Sequence, residues 1–207
     1  MLRMARQKLH IDELYEVSGK ILVEKGYAGF HFKLVADQLN VSRSTIYEYF
    51  SNKDELIASL MVHLMEKVMS EYERPDSEPA PLARLRKMFD SFMKYADIHQ
   101  ILLFAPFVNG ESSPGVNEAM TTLRQQHHLL NRRLIELIDT CKQDGAIRGD
   151  IPSELIASLL FQAIQIPKHP GVAETEWNRL IFQVMLEGYG AKVGRDLHKR
   201  EQSSTLS

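Results

Sequence analysis

Arg43, Ser44, Thr45, Tyr47 and Tyr49 stand within one run of seven residues, with Ser42 before them and Lys53 shortly after. Their spacing gives no nucleophile with an adjacent base and no metal cage. What they share is hydrogen-bond donation, and donors at this density suit a polyanion. An arginine takes the acceptor edge of guanine or a backbone phosphate, and serine and threonine reach either. The tyrosine hydroxyls and the Lys53 ammonium are suited to phosphate oxygens.

Such donors act only if rigid elements hold them together, and the surrounding sequence supplies those elements. In LVADQLNVSRSTIYEYF the apolar positions Val35, Ala36, Leu39, Val41, Ile46 and Tyr49 have the spacing of two short helices joined by a tight turn. Ala36 is small where the second helix crosses. Asn40 stands at the sharpest point of the turn and tolerates left-handed backbone better than most residues. Ser42 is suited to cap the second helix, and Ile46 is expected on its buried face. The pattern predicts a helix-turn-helix, whose second helix enters the major groove with its N-terminal residues nearest the bases. Asn52 and Glu55 then have capping-box spacing at the start of a third, longer helix.

KGYAGFHFKLVADQLNVSRSTIYEYFSNKDEL resembles the DNA-binding domain of the TetR family of bacterial repressors, through Gly26-Tyr27, Val35-Ala36, Val41-Ser42, the TIYEYF run and the Lys53…Leu56 pair. The resemblance covers about residues 10–57, and QDGAIRGDIPSELIASLLF is the most family-like part of the remaining chain. It implies a homodimer whose larger helical domain binds a small molecule and sets the separation of two recognition helices. Carried over by position, Arg43, Ser44 and Thr45 look like base-proximal and adjoining backbone contacts. Tyr47, Tyr49 and Lys53 look like phosphate contacts, and Ser42, His31 and Lys33 complete the DNA-facing set. The chain departs from the family pattern at Phe30 and His31, where threonine or serine usually opens the first motif helix. It departs again at Ser44, commonly glycine, and at Glu48, commonly basic or neutral.

The 207 residues are 44% hydrophobic and 25% charged, which fits a globular chain with a sizeable core. Net charge is only −2, and residues 1–60 hold 8 Lys/Arg against 8 Asp/Glu, so a polyanion must be met by a local patch. The single cysteine, Cys141, excludes an internal disulfide, and no apolar run approaches the roughly 18 residues of a membrane span. A cytoplasmic protein without membrane association is expected.

Helical periodicity runs almost throughout, and no alternating strand pattern of useful length appears. An all-α fold follows, divided into a helix-turn-helix domain at 1–55, a helical effector-binding and dimerisation domain at 56–195 and a charged tail at 196–207. The first helix is expected to close at Gly26, the long helix after Asn52 to bury Leu56, Leu60, Leu64 and Val68, and the last two helices to span 152–166 and 174–191. RPDSEPAP is the sharpest break.

Bulky side chains on the central helices are core by default, yet several could line a cavity for an apolar effector. The candidates are Phe89, Phe92, Met93, Phe104 and Phe107, together with Met120, Leu123, His127 and Phe161, with Tyr95 and Gln162 as orienting polar groups. Leu155, Leu159 and Ala163, then Trp177, Ile181, Val184 and Met185, give the last two helices more apolar surface than one core needs and predict a dimer seam. Dimerisation also follows from DNA reading, since useful specificity takes two half-sites about 34–36 Å apart. His127 and His128 diverge on a helix, His63, His99 and His169 lack ligand spacing, and Cys141 reads as a small buried hydrophobe, so neither metal nor cofactor is expected.

The sequence thus points to a ligand-responsive transcriptional repressor binding a palindromic DNA operator. Two other readings remain: a protein-interaction module, and a helical-bundle enzyme using Glu111, His127 or Cys141.

Overall fold

The computed structural model describes residues 9–72 and 80–187, which form nine α-helices and one 3-10 turn, with no strand among them. The first helix, α1 (Ile11–Gly29), buries Leu14, Ser18, Ile21 and Leu22. It kinks where a stop was expected: Gly26 takes φ 68°, a left-handed angle natural to glycine, and the chain then makes one more turn. That turn delivers Tyr27 back toward the body of the molecule.

Next come α2 (Phe32–Gln38) and α3 (Arg43–Tyr47), which pack on each other around Phe32, Val35, Ala36 and Ile46. Then α4 (Lys53–Tyr72) leaves the motif and runs into the second half of the chain. The boundary expected between residues 55 and 56 therefore falls inside one continuous helix. Leu56, Leu60 and Val68 are buried as its stripe predicts, and Leu64 is half-buried. Ile57, Ala58, Met61 and Met65 are buried as well, because α4 is packed on several sides. Its partners are α1, α5 (Pro81–Lys94), α6 (Ala96–Leu102) and, most extensively, α7 (Pro114–Gln143).

The 30 residues of α7 form the axis of the larger half, with α5 and α8 (Ser153–Ala163) against it, and α9 (Glu174–Glu187) lies on α5. Leu123, Leu130, Leu134 and Ile138 supply its buried face. Ser113 caps the helix by accepting from the Val116 N–H at 3.3 Å, and Pro114 stands in its first turn, where a missing N–H costs nothing. At its far end the Lys142 ammonium donates to the Ile151 carbonyl and to Ser153 Oγ, each at 2.6 Å, while the Ser153 hydroxyl donates to Asp139. These contacts tie the end of α7 to the start of α8.

The apolar pattern extending to Ile166 continues past α8 as a tighter turn, with Gln165 N–H bonded to Gln162 O and Ile166 N–H to Ala163 O. Pro167 comes next, and the residue before a proline disfavours α-helical backbone. The tail expected at 196–207, most of RPDSEPAP and the end of the last expected helix lie outside the described residues.

Candidate nucleic-acid interface and effector cavity

Two local devices fix α3. Asn40 has φ 54° and ends α2 in left-handed backbone, where the Val41 N–H reaches the Ala36 carbonyl at 3.0 Å. Ser42 then caps α3: its hydroxyl accepts from the Thr45 N–H at 3.2 Å and shares hydrogen bonds with the Ser44 and Thr45 hydroxyls at 2.7 and 2.9 Å. Ile46 is fully buried beneath, so the helix is anchored by one face and one cap.

The opposite face is open. Ser42, Arg43, Ser44 and Tyr47 are exposed, and Thr45 is half-buried. Arg43 makes no ion pair among the described residues. Tyr47 is 58% exposed but not loose, because its ring meets the Phe32 ring edge-on at 4.9 Å. Tyr49 is 41% exposed and its hydroxyl donates to the Leu9 carbonyl at 3.2 Å, linking the end of the motif to the start of α1. His31 and Lys33 are exposed at the first turn of α2; the His31 side chain makes no cap there.

Lys53 opens α4 and is held from below. Its ammonium donates to the Tyr27 carbonyl at 3.2 Å and lies 4.0 Å from the centroid of the Tyr27 ring. The Tyr27 hydroxyl donates to Asp54 Oδ1 at 2.5 Å. Burial, then the hydrogen bond to Asp54 and the charge of that carboxylate, push the Tyr27 hydroxyl up to about 12. It therefore stays protonated as the donor. Glu55 completes the helix start in a displaced capping box. Asn52 Oδ1 accepts from the Glu55 N–H at 2.9 Å, while the Glu55 carboxylate reaches back to the Ser51 N–H, also at 2.9 Å, and to the Ser51 hydroxyl. Sequence reasoning missed Tyr27 as the seat of Lys53; its one signal was the Gly26-Tyr27 pair, where a left-handed glycine turns an aromatic inward.

A cavity of about 370 Å³ opens between α4, α5, α6, α7 and α8. Of the side chains expected in an effector pocket, Phe92, His127 and Phe161 line it, with the Phe161 ring 4.9 Å from Phe92 and 6.0 Å from His127. The expected orienting groups Tyr95 and Gln162 also line it. Phe89 packs into the core against Phe182 at 5.3 Å, and Leu123 is buried. Met93 borders a neighbouring cleft, and Met120 packs on the core. Phe104 and Phe107 lie past the end of α6, and Phe107 stacks on Tyr27 instead of facing the cavity. The wall that sequence reasoning missed is α6, whose Ile98 and Leu102, and His99 and Leu103, are each four residues apart and share one face.

Burial holds His99 and His127 below the usual imidazole range, with smaller repulsion from His127 on the first and from His128 on the second. At the cavity's edge the Tyr95 hydroxyl donates to Glu71 Oε1 at 2.6 Å, and the Lys94 ammonium pairs with the same oxygen at 2.7 Å. Among the described residues no group of three or more His, Cys, Asp or Glu could hold a metal, and no helix is long and apolar enough to cross a membrane. Burial also raises the Cys141 thiol, away from the thiolate that nucleophilic chemistry needs.

On the expected seam, Leu155, Leu159 and Val184 are exposed, at 50%, 52% and 40%. Trp177 is partly buried and Met185 packs beside the core, whereas Ala163 and Ile181 belong to the protomer's own core.

A short capped helix, fixed on one face and presenting donors on the other, is the arrangement of a helix-turn-helix DNA-binding protein. Residues 14–60 match the family described as bacterial regulatory proteins, tetR family. The matched residues run from α1 into α4 and take in the whole helix-turn-helix. It is 22% identical over 163 residues to the fatty acid metabolism regulator protein of Bacillus subtilis, spanning 78% of this chain and 80% of that protein. Identity to the HTH-type transcriptional repressor KstR2 of Mycobacterium tuberculosis is 19%, over 70% of this chain and 72% of the repressor. The solved structure of KstR2, a ketosteroid transcriptional regulator, superposes with a TM-score of 0.73 at 17% identity, covering 90% of this chain and 98% of that one. FadR of Bacillus subtilis in complex with stearoyl-CoA superposes at 0.63, with 16% identity over 87% and 100%. AibR in complex with isovaleryl coenzyme A and operator DNA gives 0.66, with 14% identity over 84% and 96%. At these identities the superpositions establish a shared fold.

Proposed function

We propose that this protein is a transcriptional repressor that binds a palindromic operator as a homodimer and releases it when an apolar small molecule fills the cavity. The observation that carries this reading is α3, capped by Ser42 and anchored by buried Ile46, with Arg43, Ser44 and Tyr47 exposed on its free face. Arg43 is the residue placed to read a base edge. Lys53 and Tyr47 meet phosphates, with His31 and Lys33 flanking them, whereas the Tyr49 O–H is already given to the Leu9 carbonyl.

The cavity supports the second half of the reading. At about 370 Å³ it falls within the range of roughly 300–1,000 Å³ common to small-molecule sites. Its Phe92, Phe161, Ile98 and Leu102 walls favour a hydrocarbon or ring system, with His127, Tyr95 and Gln162 available to orient a polar end. Two structures of the same fold are complexes with acyl thioesters of coenzyme A, and the acyl chain of such a thioester is the apolar group proposed here to fill the cavity. A coupling of roughly 1–3 kcal/mol between the sites changes operator affinity about 5- to 150-fold.

Selection of bound oligonucleotides by the purified chain tests DNA reading, symmetry and half-site spacing together. Recovery of a palindrome, released by one of a series of short- to long-chain acyl-coenzyme A thioesters, is the expected result. Failure to enrich any sequence over the starting pool would refute the repressor reading.

A further inference from the structure

Lys53 and the effector half of the molecule meet through one ring. The 3-10 turn at Ala105–Phe107 follows α6 directly, and its Phe107 N–H closes on the Phe104 carbonyl at 2.9 Å around Pro106. Phe107 is 62% exposed, an unusual position for a phenylalanine that serves no core. Its ring stacks on Tyr27, 6.1 Å between centroids and 26° from parallel. On the same tyrosine lies the Lys53 ammonium, 4.0 Å from the ring centroid and 3.2 Å from the carbonyl, while the hydroxyl is tied to Asp54.

The geometry points to Phe107 and Tyr27 as positioning residues for DNA binding: they seat the Lys53 ammonium so that it meets a backbone phosphate. This rests on the DNA-binding reading above. The physical grounds are simple. A lysine carries three rotatable donors on a flexible stem, and left loose it must lose that rotamer freedom at each binding event. Here one donor is committed to the Tyr27 carbonyl and the charge lies over a ring, so the stem is ordered in advance and two N–H groups remain for phosphate oxygens. The Tyr27 ring is in turn held twice, by Asp54 through its hydroxyl and by the stacked Phe107 ring. Because Leu102 and Leu103 of the cavity wall lie only a few residues before Phe107, a helix that touches effector is two ring contacts from a lysine that touches DNA.

A double-substitution cycle on random-sequence duplex DNA isolates this coupling without needing the operator or the effector. Affinity is measured by fluorescence anisotropy at several salt concentrations for the full chain, Phe107→Ala, Lys53→Ala and the double variant. Lys53→Ala is expected to flatten the slope of log affinity against log salt by about one. Phe107→Ala is expected to weaken binding about three- to tenfold and flatten the slope by part of that unit. In the Lys53→Ala background it should change neither. Phe107→Tyr, which keeps the stacked ring, should restore wild-type behaviour. Since Phe107 is mostly solvent-exposed, its truncation leaves the core intact, and an unchanged thermal melt confirms this. Equal losses from Phe107→Ala with and without Lys53, or a wild-type slope in Phe107→Ala, would overturn the coupling. If the unsubstituted chain bound no duplex DNA, the repressor reading itself would fall, an outcome distinct from additive losses.

Discussion

Asn40 holds φ at 54° and so carries the bend between α2 and α3 on a residue other than glycine. A β-branched side chain at that angle costs about 1–2 kcal/mol, whereas glycine accepts it freely. Asn40→Val is therefore expected to lower stability by that amount in urea denaturation, and Asn40→Gly to leave it nearly unchanged. Arg43→Ala should behave differently: stability unaffected, because the side chain is exposed and unpaired among the described residues, but operator affinity reduced by about 1–3 kcal/mol more than affinity for random DNA. The cavity histidines give a pH signature. Burial lowers the folded-state values of His99 and His127, so the unfolded chain binds more protons as pH falls through the ordinary imidazole range near 6.5. Stability should be level above that range, decline below it and level off once the folded imidazoles also protonate. His99→Gln with His127→Gln should flatten this decline in denaturation midpoints between pH 7.5 and 5.5. All of the turn residues were legible in the sequence because each answers to a local rule of backbone or cap. Tyr27 was not, because its role depends on where a kinked glycine sends the chain.

At the scale of elements, helix existence was legible and helix ends were less so. The stripe expected after Asn52 reported α4, whose Leu56, Leu60 and Val68 are buried, but not that other neighbours bury Ile57, Ala58, Met61 and Met65 as well. Gly26 misled because a left-handed glycine can kink a helix as readily as end it, and α8 gives way to tighter hydrogen bonds at Gln165 and Ile166 just ahead of Pro167. The start of α7 is set locally by the Ser113 cap and Pro114, but it also makes a contact distant in sequence that no local rule shows. A Cβ added to Gly115 would come within 2.9 Å of Glu55 Oε1, so the first turn of α7 leans directly on the side chain that caps Ser51 at the head of α4. Gly115→Ala gains roughly 0.5–1 kcal/mol of helix preference, and displacing the Glu55 cap costs about as much. The melting temperature should barely change. DNA affinity should fall, because Ser51 to Glu55 frame Lys53. Equal affinity for Gly115→Ala and the parent chain in anisotropy titrations would show that the α7 contact does not reach the interface.

Reading a palindrome, as proposed above, takes a second copy of the chain, and the proposed seam would lie on the exposed leucines of α8 and the adjoining face of α9. Sequence periodicity could say that these helices were too apolar for one core, but not which residues the protomer itself consumes. Ala163 and Ile181 are 3% and 8% exposed, whereas Leu155 and Leu159 project with about half their surface in solvent. The two sets should therefore respond oppositely to charge. Glu in place of Leu159 enters water in the single protomer and should shift its stability by no more than about 0.5 kcal/mol, the usual range for a surface substitution. In a paired α8 and α9 seam the same carboxylate would be buried against its symmetry mate without a partner, and the dimer should dissociate. Ala163→Glu should instead unfold the protomer, because the charge enters its core. Sedimentation velocity separates these outcomes: a folded monomer for Leu159→Glu, a misfolded or aggregated chain for Ala163→Glu. The folded monomer should retain α3 and Lys53 yet bind the selected operator about a thousandfold or more weakly, near its level on random DNA, because one half-site supplies too few base contacts. A Leu159→Glu variant that remained dimeric with full operator affinity would place the two-fold axis elsewhere on the molecule.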